Sequence, residues 1–456
     1  MDKFPRLNLE LKEVARQLSQ VALGAVQPAR LVGENVRRIG DTLTVGGQKF
    51  KMTEFEKISL ISLGKAGVPL AEALLPMIED RLDTAVITGS QDFRQRGQLF
   101  YFPAAHPLPD DWSLKAGQKA YELALSLTEK DLLLVLISGG GSAHLCLPEE
   151  GVSLEDKRQI TGLLLRAGAD IKELNTVRKH LSRIKGGRLA RAAWPARVIN
   201  LIVSDVIGND LESIASGPTW HDSTTFTQAV AVLEKYALWP TCPESIKLVL
   251  EEGRAGLREE TVKKGDRVLE KVRSFIIGDN LTALYAAKEA ARQFGLETII
   301  LTSEDKGEAR EAAHNYLGKL QEFSRKVREQ KRAFCLLAGG ELTVTVKGRG
   351  QGGRNTEFVL ASLVEILGRE QDFEGYDWLV MSLATDGRDG PTDSAGAWIG
   401  PESLERVRRL KLSPLSYLEN NDSYSFFEEV GGLLKTGPTG TNVMDLRLFL
   451  LAPLPE

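Results

Sequence analysis

The chain has 456 residues, 42% hydrophobic and 26% charged, so it can bury a large core and is too long for one ordinary domain. A formal net charge of -4 excludes the strongly basic surface of general nucleic-acid and membrane binders and favours a small-molecule partner. The three cysteines are widely spaced without metal-ligand spacing, and the N-terminus lacks an apolar signal segment, which predicts buried thiols and a cytoplasmic protein.

Several apolar runs share one format, because each ends in small, polar or charged residues before a helical pattern or a loop. These runs lie at 58–63, 132–137, 198–203, 275–277, 334–338 and 378–384. Helical periodicity lies between many of them, as in 281–294 and 356–367. A repeated order of strand, turn and helix predicts an α/β fold with a mainly parallel sheet. Ligands bind at the carboxyl ends of strands in such sheets, which is where these polar residues fall.

The best candidate for a domain boundary is the glycine- and charge-rich stretch 251–266, which lacks sustained apolar periodicity. A long surface excursion would give the same pattern. As a boundary, the stretch divides the chain into an N-terminal domain of residues 1–262 and a C-terminal domain of residues 263–456.

Lys65 directly follows the apolar run 58–63 and precedes a helix predicted to begin near Val68, so its ammonium group could lie beside a bound anion. An ordinary surface lysine is the alternative.

Consecutive glycines follow the apolar run 132–137, with a serine at each end. Glycines lose much backbone freedom on folding, so they indicate a backbone requirement. One interpretation is a tight turn with positive φ, and the other is a cradle of bare N–H groups for an anion. The residues of this loop are Ser138, Gly139, Gly140, Gly141 and Ser142.

The basic segment 175–191 is helical in pattern until Gly186. Because the chain is acidic and the segment lacks interleaved aromatic residues, a helix beside an anion pocket or a solvated helix face is favoured over nucleic-acid binding. His144 and His180 are interpreted as structural, since neither has an identified orienting partner.

Clustered carboxylates follow two predicted strands, in 204–210 and 385–393. Such oxygens suit Mg²⁺, which usually takes one or two carboxylates together with phosphate oxygens and water. Asx turns explain these sequences equally well in isolation.

A second glycine-rich loop, 347–358, carries Arg354 at a predicted helix start. A guanidinium group binds phosphate or carboxylate oxygens in pairs, and a purely structural cation at a helix start would be unfavourable. The alternative is a hairpin-like connection after a predicted alternating strand at 342–346. Neither a Walker pattern nor a dinucleotide-binding glycine fingerprint is present in the sequence.

An ordered series of motifs extends from about LGKAG to the final strand. The series includes SGGGSAHLCLP, ELNTVRKHLSRIKGGRLA, GGELTVTVKGRGQGGRNTEF, TDGRDGPTDSAGA and TGPTGTNVMDL. In combination it resembles the glycerate 2-kinase family, the glycerate kinases with a C-terminal MOFRL domain. The resemblance implies two α/β domains, a Rossmann-like α/β/α sandwich and a smaller MOFRL domain, with the active site in the cleft between them.

The resemblance also implies phosphorylation of the 2-hydroxyl of D-glycerate by ATP and Mg²⁺, giving 2-phosphoglycerate and ADP. Lys65 and Arg354 match the family's catalytic pair, and Asp205 matches its functional aspartate, as a magnesium ligand or as the acceptor of the hydroxyl proton. The residues expected to bind nucleotide or phosphate are Ser138, Gly139, Gly140, Gly141, Ser142, Gly340, Glu341, Gly352 and Gly353, and those expected to bind metal are Asp205, Asp210 and Asp386.

The chain departs from the family pattern at several positions, among them the stretch 86–97, which lacks the lysine and glycine that are usual there. Asn209 stands where the family often has a carboxylate, while Asp210 keeps one, and His144 stands where leucine is common. Because leucine is common at its position, we assign His144 no catalytic role.

Two other functions stay open from the sequence. A hydroxypyruvate reductase is one, against which the missing nicotinamide fingerprint counts. A non-catalytic sensor of a sugar acid or nucleotide, using the same glycine loops, is the other. The expected partners are glycerate and ATP, with neither nucleic acid nor membrane, and the sequence leaves a homodimer open.

Overall fold

The computed structural model describes residues 10–454. Its internal contacts group the chain into two units. The first unit is Pro28–Ile277, and the second unit joins residues 10–27 with residues 278–454. The sequence-based division at 262/263 falls earlier in the chain and keeps the N-terminal residues with the first part.

The elements up to Gly278 alternate between helices and strands in most of this part of the chain. The helices are α1 (Leu11–Ala25), α2 (Pro28–Asn35), α3 (Gly67–Leu74), α4 (Asp111–Leu125), α5 (Gly141–His144), α6 (Leu154–Arg166), α7 (Ile171–His180), α8 (Arg188–Ala193), α9 (Phe226–Lys235) and α10 (Glu244–Arg254). The strands are β1 (Val36–Ile39), β2 (Thr42–Val45), β3 (Gln48–Lys51), β4 (Ile58–Leu63), β5 (Leu82–Thr88), β6 (Arg94–Arg96), β7 (Leu99–Phe102), β8 (Leu132–Ile137), β9 (Arg197–Val203) and β10 (Val272–Gly278).

The main sheet of the first unit has seven strands in the order β10-β9-β8-β4-β5-β7-β6. The strands from β9 to β7 in this order are parallel, and β6 runs antiparallel to β7. β4 and β8 are buried at every residue, as uninterrupted aliphatic runs predict for strands covered on both faces. The predicted α/β class and mainly parallel sheet are confirmed. Because the strands are parallel, the loops after β4, β8 and β9 begin at one edge of the sheet.

The rest of the second unit is again a mixture of helices and strands. Its helices are α11 (Asn280–Gln293), α12 (Ala309–Gln330), α13 (Arg354–Leu367), α14 (Pro401–Leu410), α15 (Pro414–Glu419) and α16 (Ser423–Val430). Its strands are β11 (Glu297–Asp305), β12 (Phe334–Gly340), β13 (Tyr376–Ala384), β14 (Gly396–Ile399), β15 (Leu433–Leu434) and β16 (Asp445–Pro453).

The sheet of the second unit is mixed, with six strands in the order β11-β12-β16-β13-β14-β15. β16 lies between β12 and β13 and runs antiparallel to both, so β12 and β13 point in the same direction. Gly340 and Ala384, at the ends of these two strands, both pair with Asp445 at the start of β16. One edge of this sheet therefore gathers residues from three distant parts of the sequence.

Two features explain the grouping of the units. The buried side of α1, which includes Val14, Leu18 and Ala22, packs on α11 and contacts β13 and β16, so this helix belongs to the second unit. β10 pairs with β9 and extends the first sheet, so the first unit ends at Ile277, whereas the boundary at 262/263 stays a prediction.

Local structure agrees with the sequence at some places and departs from it at others. Ser153 and Asp156 form a capping box at the start of α6, and all three cysteines are buried and free, as predicted for the thiols. The strand predicted at 342–346 is wrong, because only Thr343 makes a bridge, to Glu308, whose carboxylate accepts the backbone N–H of Thr345 at 3.1 Å in place of a neighbouring strand. Within residues 10–454, none of the helices has both the length and the apolar character needed to cross a bilayer.

Candidate functional site

The loops after β4 and β8 are joined by backbone hydrogen bonds at the edge of the first sheet. The backbone N–H of Lys65 donates to the carbonyl of Gly139 at 2.8 Å. The hydroxyl of Ser138, which is buried, accepts the N–H of Ala66 at 3.0 Å and donates to the carbonyl of Leu63 at 3.2 Å. Ser138 therefore fixes the position of the loop that carries Lys65.

Glycines in the β8–α5 loop allow charged and aromatic side chains to approach the backbone closely. Gly140 has φ +80°, so the predicted tight turn is confirmed, and a Cβ there would lie 2.9 Å from the His106 ring and 3.2 Å from Cγ of Lys65. A Cβ at Gly139 would collide with the carboxylate of Asp205. The structure thus brings Lys65 and Asp205 to neighbouring glycines of this loop. Reasoning from the sequence missed His106, for which no motif gave a signal.

The remaining polar residues of this edge differ in exposure and contacts. Lys65 is exposed and Asp205 is half-buried. Ser142 Oγ lies 2.7 Å from Ser216 Oγ. Asp210 is exposed and accepts hydrogen bonds from the hydroxyl of Ser213 at 2.6 Å and from the N–H of Glu212 at 3.1 Å. These bonds form the Asx turn that was the alternative to a metal site for the carboxylates of 204–210.

His144 is buried beside this loop, and its Nδ1 has no hydrogen-bond partner among the described residues. Burial, with a smaller contribution from nearby His106, lowers the pKa of His144 to about 4. Its ring is therefore neutral at pH 7, in agreement with the structural interpretation.

At the edge of the second sheet, Arg354 is the first residue of α13 and forms a two-point ion pair with Asp445. Its Nε and Nη2 donate to the two carboxylate oxygens at 2.6 and 2.8 Å, and its Nη1 lies 3.0 Å from Glu341. Burial acts to lower the pKa of Arg354, but the Asp445 carboxylate outweighs it and holds the pKa above the usual range. The argument that a structural cation would be unfavourable at this helix start is wrong, because two carboxylates compensate it.

The ion pair continues into the core of the second unit. Arg447, fully buried, lies 3.4 Å from Asp445 and 3.1 Å from Asp305. Asp305 in turn accepts the hydroxyl of Tyr316 at 2.5 Å. Arg354 is thus the outermost cation of a buried chain of alternating charges, which gives it a structural role. Asp445 lies in the motif TGPTGTNVMDL, but no separate role was predicted for it from the sequence.

Asp389 is buried and caps the start of α13. It accepts the backbone N–H groups of Asn355 and Thr356 at 2.9 and 2.8 Å, and their side chains at 3.2 and 2.8 Å. A Cβ at Gly353 would collide with the Asp389 carboxylate, and one at Gly352 with the hydroxyl of Ser423. Both glycines therefore have a packing reason as well as the predicted binding role.

Asp386 and Gly340 lie at the ends of β13 and β12. Asp386 is half-buried and accepts the N–H of Arg388 at 3.0 Å. Gly340 has φ +124°, and a Cβ there would collide with the backbone of Asp305. In the part of the chain that the structure describes, no group of three or more histidine, cysteine, aspartate or glutamate side chains is arranged to hold a metal ion.

The predicted site residues therefore fall into two sets. In the first unit, Lys65 and Asp205 approach the loop of residues 138–142, whereas Asp210 is engaged in its own turn. In the second unit, Arg354 contacts Glu341, and the other predicted residues of that unit are Gly340, Gly352, Gly353 and Asp386.

Comparisons with known proteins place the chain in a family. Residues 14–251 match a family described as a domain of unknown function, DUF4147, and residues 334–445 match the MOFRL family. The glycerate 2-kinase of Pyrococcus horikoshii is 38% identical over 97% of this chain and 98% of its own length. The D-glycerate 2-kinase of Thermotoga maritima is 37% identical with the same coverage. A crystal structure of glycerate kinase from Thermotoga maritima superimposes with a TM-score of 0.81 at 35% identity, covering 97% of this chain and 99% of the other.

Proposed function

This chain belongs to the glycerate 2-kinase family, and from that premise we propose that it transfers the γ-phosphoryl group of ATP to the 2-hydroxyl of D-glycerate, giving 2-phosphoglycerate and ADP. The observation that carries the proposal is the sequence identity of 38% and 37%, over 97% of this chain, with two proteins named for this activity. ATP is the phosphoryl donor that a kinase family implies.

The arrangement in the first unit supports this chemistry. Phosphoryl transfer depends mainly on positioning and on neutralising the charge of the moving group. The exposed ammonium of Lys65 and the half-buried carboxylate of Asp205 approach adjacent glycines of one loop, so a cation and an acceptor of a proton lie close together. Lys65 then neutralises phosphoryl oxygens, and Asp205 orients the attacking hydroxyl or accepts its proton.

We extend the proposal to Arg354 in the second unit. Its two-point pair with Asp445 uses Nε and Nη2, while Nη1 faces Glu341, a side chain that is 46% exposed. A guanidinium held in this way has a fixed orientation, so it can neutralise substrate oxygens without first losing side-chain freedom. Glu341, with Gly340, Gly352 and Gly353, is proposed to border the nucleotide.

Magnesium is proposed to arrive with the nucleotide. Half-buried carboxylates such as those of Asp205 and Asp386 fit such an ion, because Mg²⁺ bound to phosphate oxygens usually needs only one or two protein carboxylates. When bound, the ion neutralises charge that develops on the phosphates. Asp205 and Asp386 are the proposed protein ligands, and Asp210 is a weaker candidate because both its oxygens accept hydrogen bonds from its own turn.

We also propose a cytoplasmic location, small-molecule partners and no nucleic-acid or membrane partner, as expected from the charge balance. A homodimer stays a proposal, for which light scattering of the full-length protein is the test.

The test of function is a coupled assay of ADP release over a panel of small hydroxy acids, each with ATP and Mg²⁺. We expect D-glycerate to be the best acceptor. A protein that stabilises thermally with D-glycerate or ATP but releases no ADP would be a sensor. Consumption of NADH with hydroxypyruvate, without ADP release, would identify a reductase, and either result would refute the kinase proposal.

A further inference from the structure

A cluster of three buried or half-buried cations lies behind the loop of residues 138–142. Lys157 and Lys185 are 4% and 3% exposed. Lys185 Nζ donates to the carbonyl of Ser142 at 2.9 Å, and Lys157 Nζ donates to the carbonyl of Leu181 at 2.9 Å. Arg178, on α7, is the third member, and we call these three side chains the cation cluster.

The members of the cation cluster lie close enough to repel one another. Burial lowers the pKa of Lys157, and the charge of Arg178 lowers it further. Burial, followed by the charges of Lys157 and Arg178, lowers the pKa of Lys185 to about 7. The neighbouring carboxylate of Glu149 is engaged elsewhere, since it pairs with Arg188 at 2.5 Å. Grouped cations without a carboxylate partner repel one another, and a bound anion lowers that cost.

Arg178 differs from the two lysines because its charge is not satisfied by the protein. Over residues 10–454, no side-chain or backbone oxygen accepts a hydrogen bond from its guanidinium group, and no carboxylate forms an ion pair with it. The residue is only partly buried, so the guanidinium is within reach of a small ligand. An unpaired arginine in such a position offers two parallel N–H groups to a carboxylate or a phosphate.

Helix α7 packs against the segment 214–216, which also contacts α5 at the end of the glycine-rich loop. Asn175 lies three residues earlier on α7 and therefore shares a face with Arg178. Asn175 Oδ1 accepts the hydroxyl of Ser216 at 3.1 Å, and Ser216 Oγ is 2.7 Å from Ser142 Oγ. The face of α7 that carries Arg178 is thus connected to the end of the loop opposite to Gly139.

The segment that supplies Ser216 has a strained backbone. Ala215, Ser216 and Gly217 have φ of +51°, +60° and +58°, a conformation that non-glycine residues seldom adopt. Such strain persists where the surroundings enforce it, commonly at ligand sites. Ser142 and Ser216 therefore form a polar pair held on the side of α7 that carries Asn175.

We propose that Arg178 binds the carboxylate of the acceptor substrate beside Ser142 and Ser216, an inference that rests on the proposed kinase function. Glycerate carries its carboxylate on the carbon that bears the reacting hydroxyl, so the group that holds the carboxylate must lie near the residues that orient the hydroxyl. Asp205 approaches the loop at Gly139, and the charge of Arg178 acts on Lys185, whose Nζ donates to the carbonyl of Ser142 at the other end of the loop. Lys157 and Lys185 raise the positive potential behind the site without contacting the ligand.

Isothermal titration of D-glycerate into the full-length protein tests this proposal, with and without a non-hydrolysable ATP analogue. We expect Arg178→Met to raise the Kd for D-glycerate roughly 10- to 100-fold, the loss expected for a charged hydrogen-bonded pair, and to leave the Kd for the ATP analogue nearly unchanged. Arg178→Lys keeps the charge but loses the paired donors, so it should restore affinity only in part. Lys172→Met removes one exposed cation from the same helix and is the matched control, with no expected effect.

The unfolding temperature of the ligand-free protein separates binding from a structural role. Removing an unpaired cation from the cation cluster relieves repulsion, so Arg178→Met should unfold at the same temperature as the wild type or a higher one. Unchanged D-glycerate affinity, a larger effect on the ATP analogue, a marked fall in unfolding temperature, or no binding of D-glycerate by the wild type would each overturn the proposal. A wild type that binds D-glycerate through Arg178 but releases no ADP would refute the kinase function and leave the carboxylate site in place.

Discussion

The edges of the two sheets hold their predicted catalytic cations in different ways. At the edge of the first sheet, Lys65 is exposed on a loop positioned through backbone hydrogen bonds to Gly139 and Ser138. At the edge of the second sheet, Arg354 is joined through both carboxylate oxygens to Asp445, which is completely buried. The first cation is separable from the fold, whereas the second is part of it.

Substitutions of Lys65 and Arg354 must therefore be interpreted differently. A loss of activity at Lys65 reports on the reaction, because little packing depends on its exposed ammonium group. A loss at Arg354 combines the reaction with the stability of the second unit. Stability measurements are therefore needed beside kinetics at both positions.

The largest expected effect is that of Arg354→Ala. Removing the guanidinium leaves Asp445 as a buried charge beside Arg447 alone, so the free energy of unfolding should fall by about 3–5 kcal/mol, and kcat should fall by orders of magnitude. Urea unfolding and steady-state kinetics measure the two effects.

Glu341→Ala is the matched control for Arg354→Ala, because it removes the exposed partner of the same arginine. The cost in unfolding free energy should be below about 1 kcal/mol. If Arg354→Ala were as stable as the wild type, the buried ion pair would not support the fold and the comparison would fail.

We expect the next largest effect in the Lys65→Ala variant, as a fall in kcat. Loss of one charge-neutralising donor at the transferred group should lower kcat roughly 10²- to 10³-fold. The unfolding free energy should change by less than about 0.5 kcal/mol, as for other exposed side chains. Near-normal turnover would remove Lys65 from the reaction, and marked destabilisation would contradict its separation from the fold.

The stability of the first unit should depend on pH through His144. His144 titrates near pH 4 when folded and near 6.5 when unfolded, so the unfolded chain binds the proton first as the pH falls. Stability is therefore lost between pH 6.5 and 4, by about 3 kcal/mol in total. Thermal unfolding of His144→Leu over this range should show a flatter profile than the wild type. Parallel profiles would show that His144 does not carry this dependence.

The smallest effects concern two glycines that each face a carboxylate. Gly353→Ala should push Asp389 away from the α13 backbone and cost roughly 1–3 kcal/mol of stability. Gly139→Ala should displace the half-buried Asp205 and lower kcat more than it lowers stability. Paired unfolding and kinetic measurements compare them. If Gly139→Ala lost only stability and kept its kcat, Asp205 would have no functional position beside the loop.

The elements of the first unit were predictable because they are local. The apolar runs at 58–63 and 132–137 coincide with β4 and β8, since strands covered on both faces need uninterrupted apolar residues. The tight turn at Gly140 follows from the same logic, because left-handed backbone favours glycine. Sequence spacing also identified Lys65 and Asp205 as neighbours of strand ends.

What could not be predicted depends on contacts between distant residues. Arg354 and Asp445 are 91 positions apart, and nothing local indicates that β16 lies between β12 and β13. The run 342–346 alternates like a strand but finds a side chain of Glu308 where a neighbouring strand would be. Arg178 stood in a basic segment whose pattern suits a solvated helix face equally well, so its unpaired state required the structure.

Product analysis by NMR is the sharpest test for transfer of phosphate to the hydroxyl next to the carboxylate of glycerate. The full-length protein is incubated with D-glycerate, ATP and Mg²⁺, and phosphorus–carbon coupling locates the new phosphate. We expect the phosphate on C2, and we expect the Lys65→Ala variant to form almost no product. Phosphate on C3, or no phosphorylated product from correctly folded wild-type protein, would refute transfer to the 2-hydroxyl.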